Sequence, residues 1–231
     1  MRRFLYSNGL SVFFLVLFLL ALSGQAIAGH AEYNEEERTH AEVNHQQPQE
    51  ISFGRYLTSS NFAQGVTENW QSEYLQFVLF ILATTWLIQR GSTESKDPGE
   101  EGRESEERQR MGAHATEHSP GPAKRSGGFI RALYSNSLLL VMGVIWIGSW
   151  FAQSVAGWSD YNAQQLEHAQ PRIDWLSYLV TPEFWEDTLQ NWQSEFLAVG
   201  SMVIFSVYLR QRGSTQSKPV GAPHGETAAE G

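Results

Sequence analysis

The chain contains the same pentapeptide twice, Asn69-Trp70-Gln71-Ser72-Glu73 and Asn191-Trp192-Gln193-Ser194-Glu195, and the likeness does not stop there. Gln89-Arg90-Gly91-Ser92-Thr93 returns as Gln211-Arg212-Gly213-Ser214-Thr215, and Tyr56-Leu57 as Tyr178-Leu179, all at a spacing of 122. Upstream the spacing is 128: Arg3 and Leu5-Tyr6-Ser7-Asn8 return as Arg131 and Leu133-Tyr134-Ser135-Asn136. The same register pairs Gln25 with Gln153, Ala28-Gly29 with Ala156-Gly157, Tyr33-Asn34 with Tyr161-Asn162 and His40-Ala41 with His168-Ala169. A deletion in the second copy accounts for the step from 128 to 122. Ordered matches on this scale read as one unit duplicated in tandem, which limits the architecture before any single element is assigned.

Each unit is built on two apolar blocks: Gly9 to Ala28 and Tyr74 to Ile88 in the first, Leu138 to Ala156 and Phe196 to Leu209 in the second. A mean hydropathy of -0.33 conceals this segregation, which implies two solvents. A hydrocarbon core of about 30 Å needs about 20 helical residues, and the first and third blocks supply them. Tyr74 to Ile88 would reach only about 22 Å at 1.5 Å per residue, so the second span draws Trp70 to Glu73 into the interface. Trp70, Trp86, Trp158 and Trp192 lie near block ends, where an amphipathic ring prefers the headgroup layer. The expected fold is an all-α membrane protein. Its four transmembrane helices form two tandem hairpins of parallel orientation, with short interfacial helices in the outer loops.

Residues 1–93 and 129–218 form the two units, each read as helix, polar loop of roughly 35 to 45 residues, helix and basic exit. Residues 94–128 are rich in Glu, Arg, Gly, Ser and Pro, with too few apolar residues to pack; they read as a disordered linker, and 219–231 as a disordered tail. Basic residues set the orientation, because Lys and Arg near span ends stay cytoplasmic. Arg2, Arg3, Arg90, Lys96, Lys124, Arg125, Arg131, Arg210, Arg212 and Lys218 all flank one side, whereas the outer loops carry only Arg38, Arg55 and Arg172. Both termini are therefore expected in the cytoplasm, with the pseudo-symmetry axis along the membrane normal. The first block with Ala26-Ile27-Ala28 also fits a cleavable secretory signal. Its copy lies mid-chain, which favours retention.

Local signals are plain. Ser7-Asn8 and Ser135-Asn136 read as N-caps, and Arg90-Gly91 and Arg212-Gly213 as helix C-terminal signals. Thr181-Pro182-Glu183 reads as an N-cap, a first-turn proline and a favourable acid. Ile173, Trp175, Leu176 and Leu179 read as one side of a short interfacial helix, repeated more weakly by Ile51, Phe53 and Leu57.

Candidate chemistry is sparse. There is no cysteine, hence no disulfide, thiolate site or cysteine nucleophile. A net charge of -9 argues against nucleic acid as a partner, since no basic stripe exists to neutralise phosphates. No Walker loop, G-x-S-x-G elbow, H-E-x-x-H or dinucleotide fingerprint occurs, so neither catalysis nor a cofactor is expected. His30, His40 and His45 with Glu32, Glu35, Glu36 and Glu37 could ligate a cation, as could His114 and His118 if helical. Both groups read better as solvated segments, and no metal site is expected. The motif with most to offer is Asn69, Trp70 and Glu73 with Asn191, Trp192 and Glu195. On helices, Asn69 and Glu73 share a face. An acid inside a bundle points to an ion or substrate site, whereas one at the boundary can snorkel to water and serve packing.

With its repeated N-W-Q-S-E-[YF]-L and Q-R-G-S-T motifs, the chain resembles a family of small, uncharacterised bacterial membrane proteins of unknown function. The resemblance spans both units and implies an inner-membrane location, but transfers no catalytic residue. Two functions follow from the residues. One is a non-catalytic bundle that meets the lipid bilayer and binds membrane protein partners or further copies of itself. The other is a small-ion or proton pathway in which Glu73 and Glu195 converge.

Overall fold

The computed structural model describes residues 2–43 and 45–227, the side chains of Arg2 and Arg3 excepted. Of the residues read above, those two side chains and the tail from Ala228 to Gly231 lie outside it. Eight α-helices are described: α1 Arg2–Ser7, α2 Gly9–Val43, α3 Phe53–Tyr56, α4 Ser60–Trp86, α5 Phe129–Ser135, α6 Ser137–Glu167, α7 Trp175–Tyr178 and α8 Pro182–Tyr208. There is no strand among the described residues. The fold is all-α, and α2 and α6 are long and apolar enough to cross a membrane.

Both of those helices outrun their apolar blocks. At 35 residues α2 is about 52 Å long, well beyond the hydrocarbon thickness, and it carries the acidic run Glu32 to Glu37 as helix. Of the expected long polar loops, the described residues outside helices between α2 and α3, and between α6 and α7, are 45–52 and 168–174. Alanine, glutamate and arginine are good helix formers, and Arg38 pairs with Glu35 one turn back at 3.6 Å. Both helices stop in the same way. His45 (φ 54°) and Ala169 (φ 55°) take the left-handed conformation, and the next amides, of Gln46 and Gln170, bond back to the carbonyls of Ala41 (2.8 Å) and Gln165 (2.7 Å). This five-residue reach is the Schellman termination, here without glycine.

Three sequence expectations are corrected. Asn8 and Asn136 are not N-caps, because α1 and α5 already occupy the turns before them. Their Nδ2 groups donate backwards, to the carbonyls of Phe4 (2.9 Å) and Ala132 (2.7 Å). Gly91 (φ 87°) and Gly213 (φ 82°) are left-handed as expected. They lie in turns beyond the helix ends at Trp86 and Tyr208, not at the caps. There Gln89 and Gln211 each donate a backbone N–H to a serine Oγ, that of Ser95 and of Ser217, both at 2.9 Å. Finally, Ile173 precedes α7 instead of lying on it, because its backbone is claimed by Asn162.

By contrast, Thr181 caps α8 as read: its Oγ1 accepts from the Phe184 amide, with Pro182 first in the helix and Glu183 in its first turn. Between Glu94 and Gly128 the only helical element described is the 3-10 turn Gly112–His114, which includes His114 but not His118.

The packing forms two compact units, each assembled from both halves of the sequence: Met1–Val66 with Gln153–Trp175, and Thr67–Ala152 with Leu176–Gly231. In the first, Tyr56 is 3% exposed, and a Cβ added at Gly29 would run into its hydroxyl and displace the ring. In the second, Leu75 and Val78 of α4 and Phe184 and Val207 of α8 are buried. Trp150 joins an aromatic run there, stacked on Trp146 (centroids 6.2 Å apart) and on Phe184 (6.2 Å), with Tyr178 edge-on to Phe184 at 5.5 Å.

Candidate functional site

In the first unit, two buried asparagines hold loop backbone. Asn34 Oδ1 accepts from the Ile51 amide at 2.9 Å while its Nδ2 donates to the Ile51 carbonyl at 3.1 Å. Asn162 does the same to Ile173, at 2.9 and 3.0 Å. A ring nitrogen completes each clamp: His30 Nε2 lies 2.8 Å from the Ile51 oxygen, and Trp158 Nε1 donates to the Ile173 oxygen at 2.8 Å. The Ile173 carbonyl thus accepts two hydrogen bonds, as the Ile51 carbonyl does in the tautomer that protonates His30 Nε2. A groove of about 480 Å³ runs beside the second clamp, between Trp158, Leu166 and Arg172.

His30 is thus committed to a backbone contact, and His40 lies 3.4 Å from Glu167. Among the described residues, no group of three or more His, Asp or Glu side chains is arranged to hold a metal ion. Burial raises the Asp160 carboxyl above its ordinary range, and the Gln164 amide only partly offsets this.

In the second unit the repeated pentapeptides lie within α4 and α8. Asn69 and Glu73 are exposed and Trp70 is 37% exposed. Asn191, Trp192 and Glu195 are half-buried. Asn191 Nδ2 donates to Glu68 Oε1 at 2.6 Å, and Trp192 Nε1 donates to Gln71 Oε1 at 2.7 Å. Glu73 lies within electrostatic reach of Glu195. The structure therefore brings Asn191 and Trp192 onto α4, where their partners are Glu68 and the fully buried Gln71.

Sequence reasoning passed over Glu68 and Asp187, the acids of this seam. The available signal was helical spacing: Glu68 and Gln71 share a face at i, i+3, as do Asp187 and Asn191 at i, i+4. Tyr33-Asn34 and Tyr161-Asn162 were visible as repeats, but nothing local announces a clamp on a distant isoleucine.

No curated protein and no solved structure matches the chain. Residues 1–229 match the family described as a domain of unknown function, DUF6766, and the chain belongs to that family.

Proposed function

We propose that the chain is a multi-pass integral protein of the bacterial inner membrane, non-catalytic, with four spans built from two copies of one hairpin and both termini in the cytoplasm. The carrying observation is the surface of α2. Every residue from Phe13 to Leu20 is large and apolar and between 42% and 65% exposed. Eight consecutive positions cover the whole circumference of a helix, and a helix apolar all round has no face for water. Lipid is the solvent that fits. On this reading the apolar parts of α4 and α8, from Tyr74 and from Phe196 onward, are the second and fourth spans, and the matching clamps on Ile51 and Ile173 support the duplication. Partner membrane proteins or further copies of the chain would meet its lipid-facing surfaces, and residues 94–128 would tether the copies.

A second reading, an ion or proton pathway through Glu73 and Glu195, is favoured by their electrostatic proximity. The exposure of Glu73 supports the anchoring role instead.

The absence of cysteine permits a direct topology test. Single cysteines at Gln46, Ser126 and Gln170 are probed with a membrane-impermeant maleimide in intact cells. Gln46→Cys and Gln170→Cys should label from outside and Ser126→Cys only after permeabilisation. Labelling of all three from one side would overturn the four-span arrangement.

A further inference from the structure

Glu68 stands on α4 ahead of the Trp70–Glu73 boundary, half-buried against α8. Its Oε1 accepts from Asn191 Nδ2 at 2.6 Å, and the same amide nitrogen donates to the Asp187 carbonyl at 2.9 Å, one turn earlier on α8. The charged side chain that acts on Glu68 across this seam is Asp187, a second carboxylate. Among the described residues no cation forms an ion pair with Glu68. One turn further on, Gln71 is fully buried and bonded to the Trp192 indole, which closes that end of the seam to bulk solvent.

The internal repeat supplies an independent comparison. The position equivalent to Glu68 in the second copy is Gln190, and the position equivalent to Asp187 in the first is Gly65. A hairpin of this kind is thus made with a neutral, amide-bearing side chain in place of the glutamate, and with no side chain in place of the aspartate. The two acids are additions that the duplicated scaffold does not call for. A carboxylate partly removed from water, beside another carboxylate and with no cation paired to it, is relieved by taking up a proton.

We propose that Glu68 is a proton-binding site whose occupancy is set by Asp187 and Asn191, so that the α4–α8 contact tightens when Glu68 is neutral and loosens when it is charged. The step is a simple equilibrium: a solvent proton adds to one carboxylate oxygen, and the other oxygen keeps the Asn191 hydrogen bond. Desolvation first and the Asp187 charge second push the Glu68 carboxyl up to about 7, with the Asn191 bond pulling the other way. The folded-state value therefore lies above the unfolded one. The stability that Glu68 contributes is greatest at acid pH, falls as pH rises from the ordinary carboxylate range toward about 7, and is level above it. The inference goes beyond the membrane reading and does not rest on it.

The test uses the full chain in detergent, with glutamate labelled at the side-chain carboxyl carbon. Wild type should show one glutamate resonance titrating near neutral pH, together with a melting temperature that falls over the same interval. Glu68→Gln should remove that resonance, flatten the melting profile and melt above wild type at alkaline pH. Asp187→Asn should keep the resonance and move its midpoint to lower pH, which preserves the test if Glu68→Gln does not fold. If every glutamate titrates in the ordinary range, or if Glu68→Gln keeps the wild-type profile, the proposal is wrong.

Discussion

His30 and Trp158 stand at repeat-related positions, and each holds a ring nitrogen 2.8 Å from an isoleucine carbonyl oxygen, that of Ile51 and of Ile173 respectively. An indole nitrogen can only donate, and His30 matches it when Nε2 carries the ring proton; Asn34 Nδ2 lies 3.0 Å from the same nitrogen. His30→Trp should therefore keep the first clamp, while His30→Phe should lose its donor at a cost of about 1 kcal/mol. Thermal melting in detergent separates the two. Equal melting of both variants would show that the ring nitrogen contributes nothing.

Asn34→Ala and Asn162→Ala should each cost about 1 to 3 kcal/mol, because the amide and carbonyl of the clamped isoleucine lose partners in a partly buried setting. Hydrogen exchange localises the effect. The Ile51 amide should lose protection in the first variant and the Ile173 amide in the second, without crossover.

Removing the cap of α8 by Thr181→Ala should destabilise by about 1 kcal/mol, since the Phe184 amide loses its acceptor. Thr181→Ser should restore most of the loss. A serine variant that melts with the alanine one would assign the effect to the threonine methyl instead.

Glu73→Gln and Glu195→Gln should fold almost as wild type. On the membrane reading these carboxylates stand at the boundary and reach water, where exposed interactions contribute roughly 0 to 1 kcal/mol. Proteoliposomes of wild type, both single variants and the double variant should be equally tight to protons and cations. A wild-type leak that either change abolishes would favour the pathway reading.

Retention of the first apolar segment should show in the intact mass of the purified protein, which should include the sequence from Met1, with or without that methionine. A mature chain that starts at Gly29 would identify the segment as a cleaved signal.

The apolar blocks, the repeated motifs and the Thr181 cap were legible because each depends on residues close in sequence or on matching one stretch to another. Hydrophobic length is read by the solvent, and a cap is closed within one turn. Even so, the run from Glu32 to Val43 reads as loop by its polarity and is helix in the structure, since helix propensity is indifferent to burial. What only tertiary structure decided is which polar side chain meets which partner. Asn34 could have capped a turn or faced water, and it serves Ile51 because the loop returns that backbone to α2. Glu68 would be an ordinary solvated acid on an isolated α4. Its proton affinity arises from α8, which removes water and sets Asn191 and Asp187 opposite it. Apolar burial is additive along a sequence, whereas a hydrogen bond or a charge takes its value from the single group placed across from it.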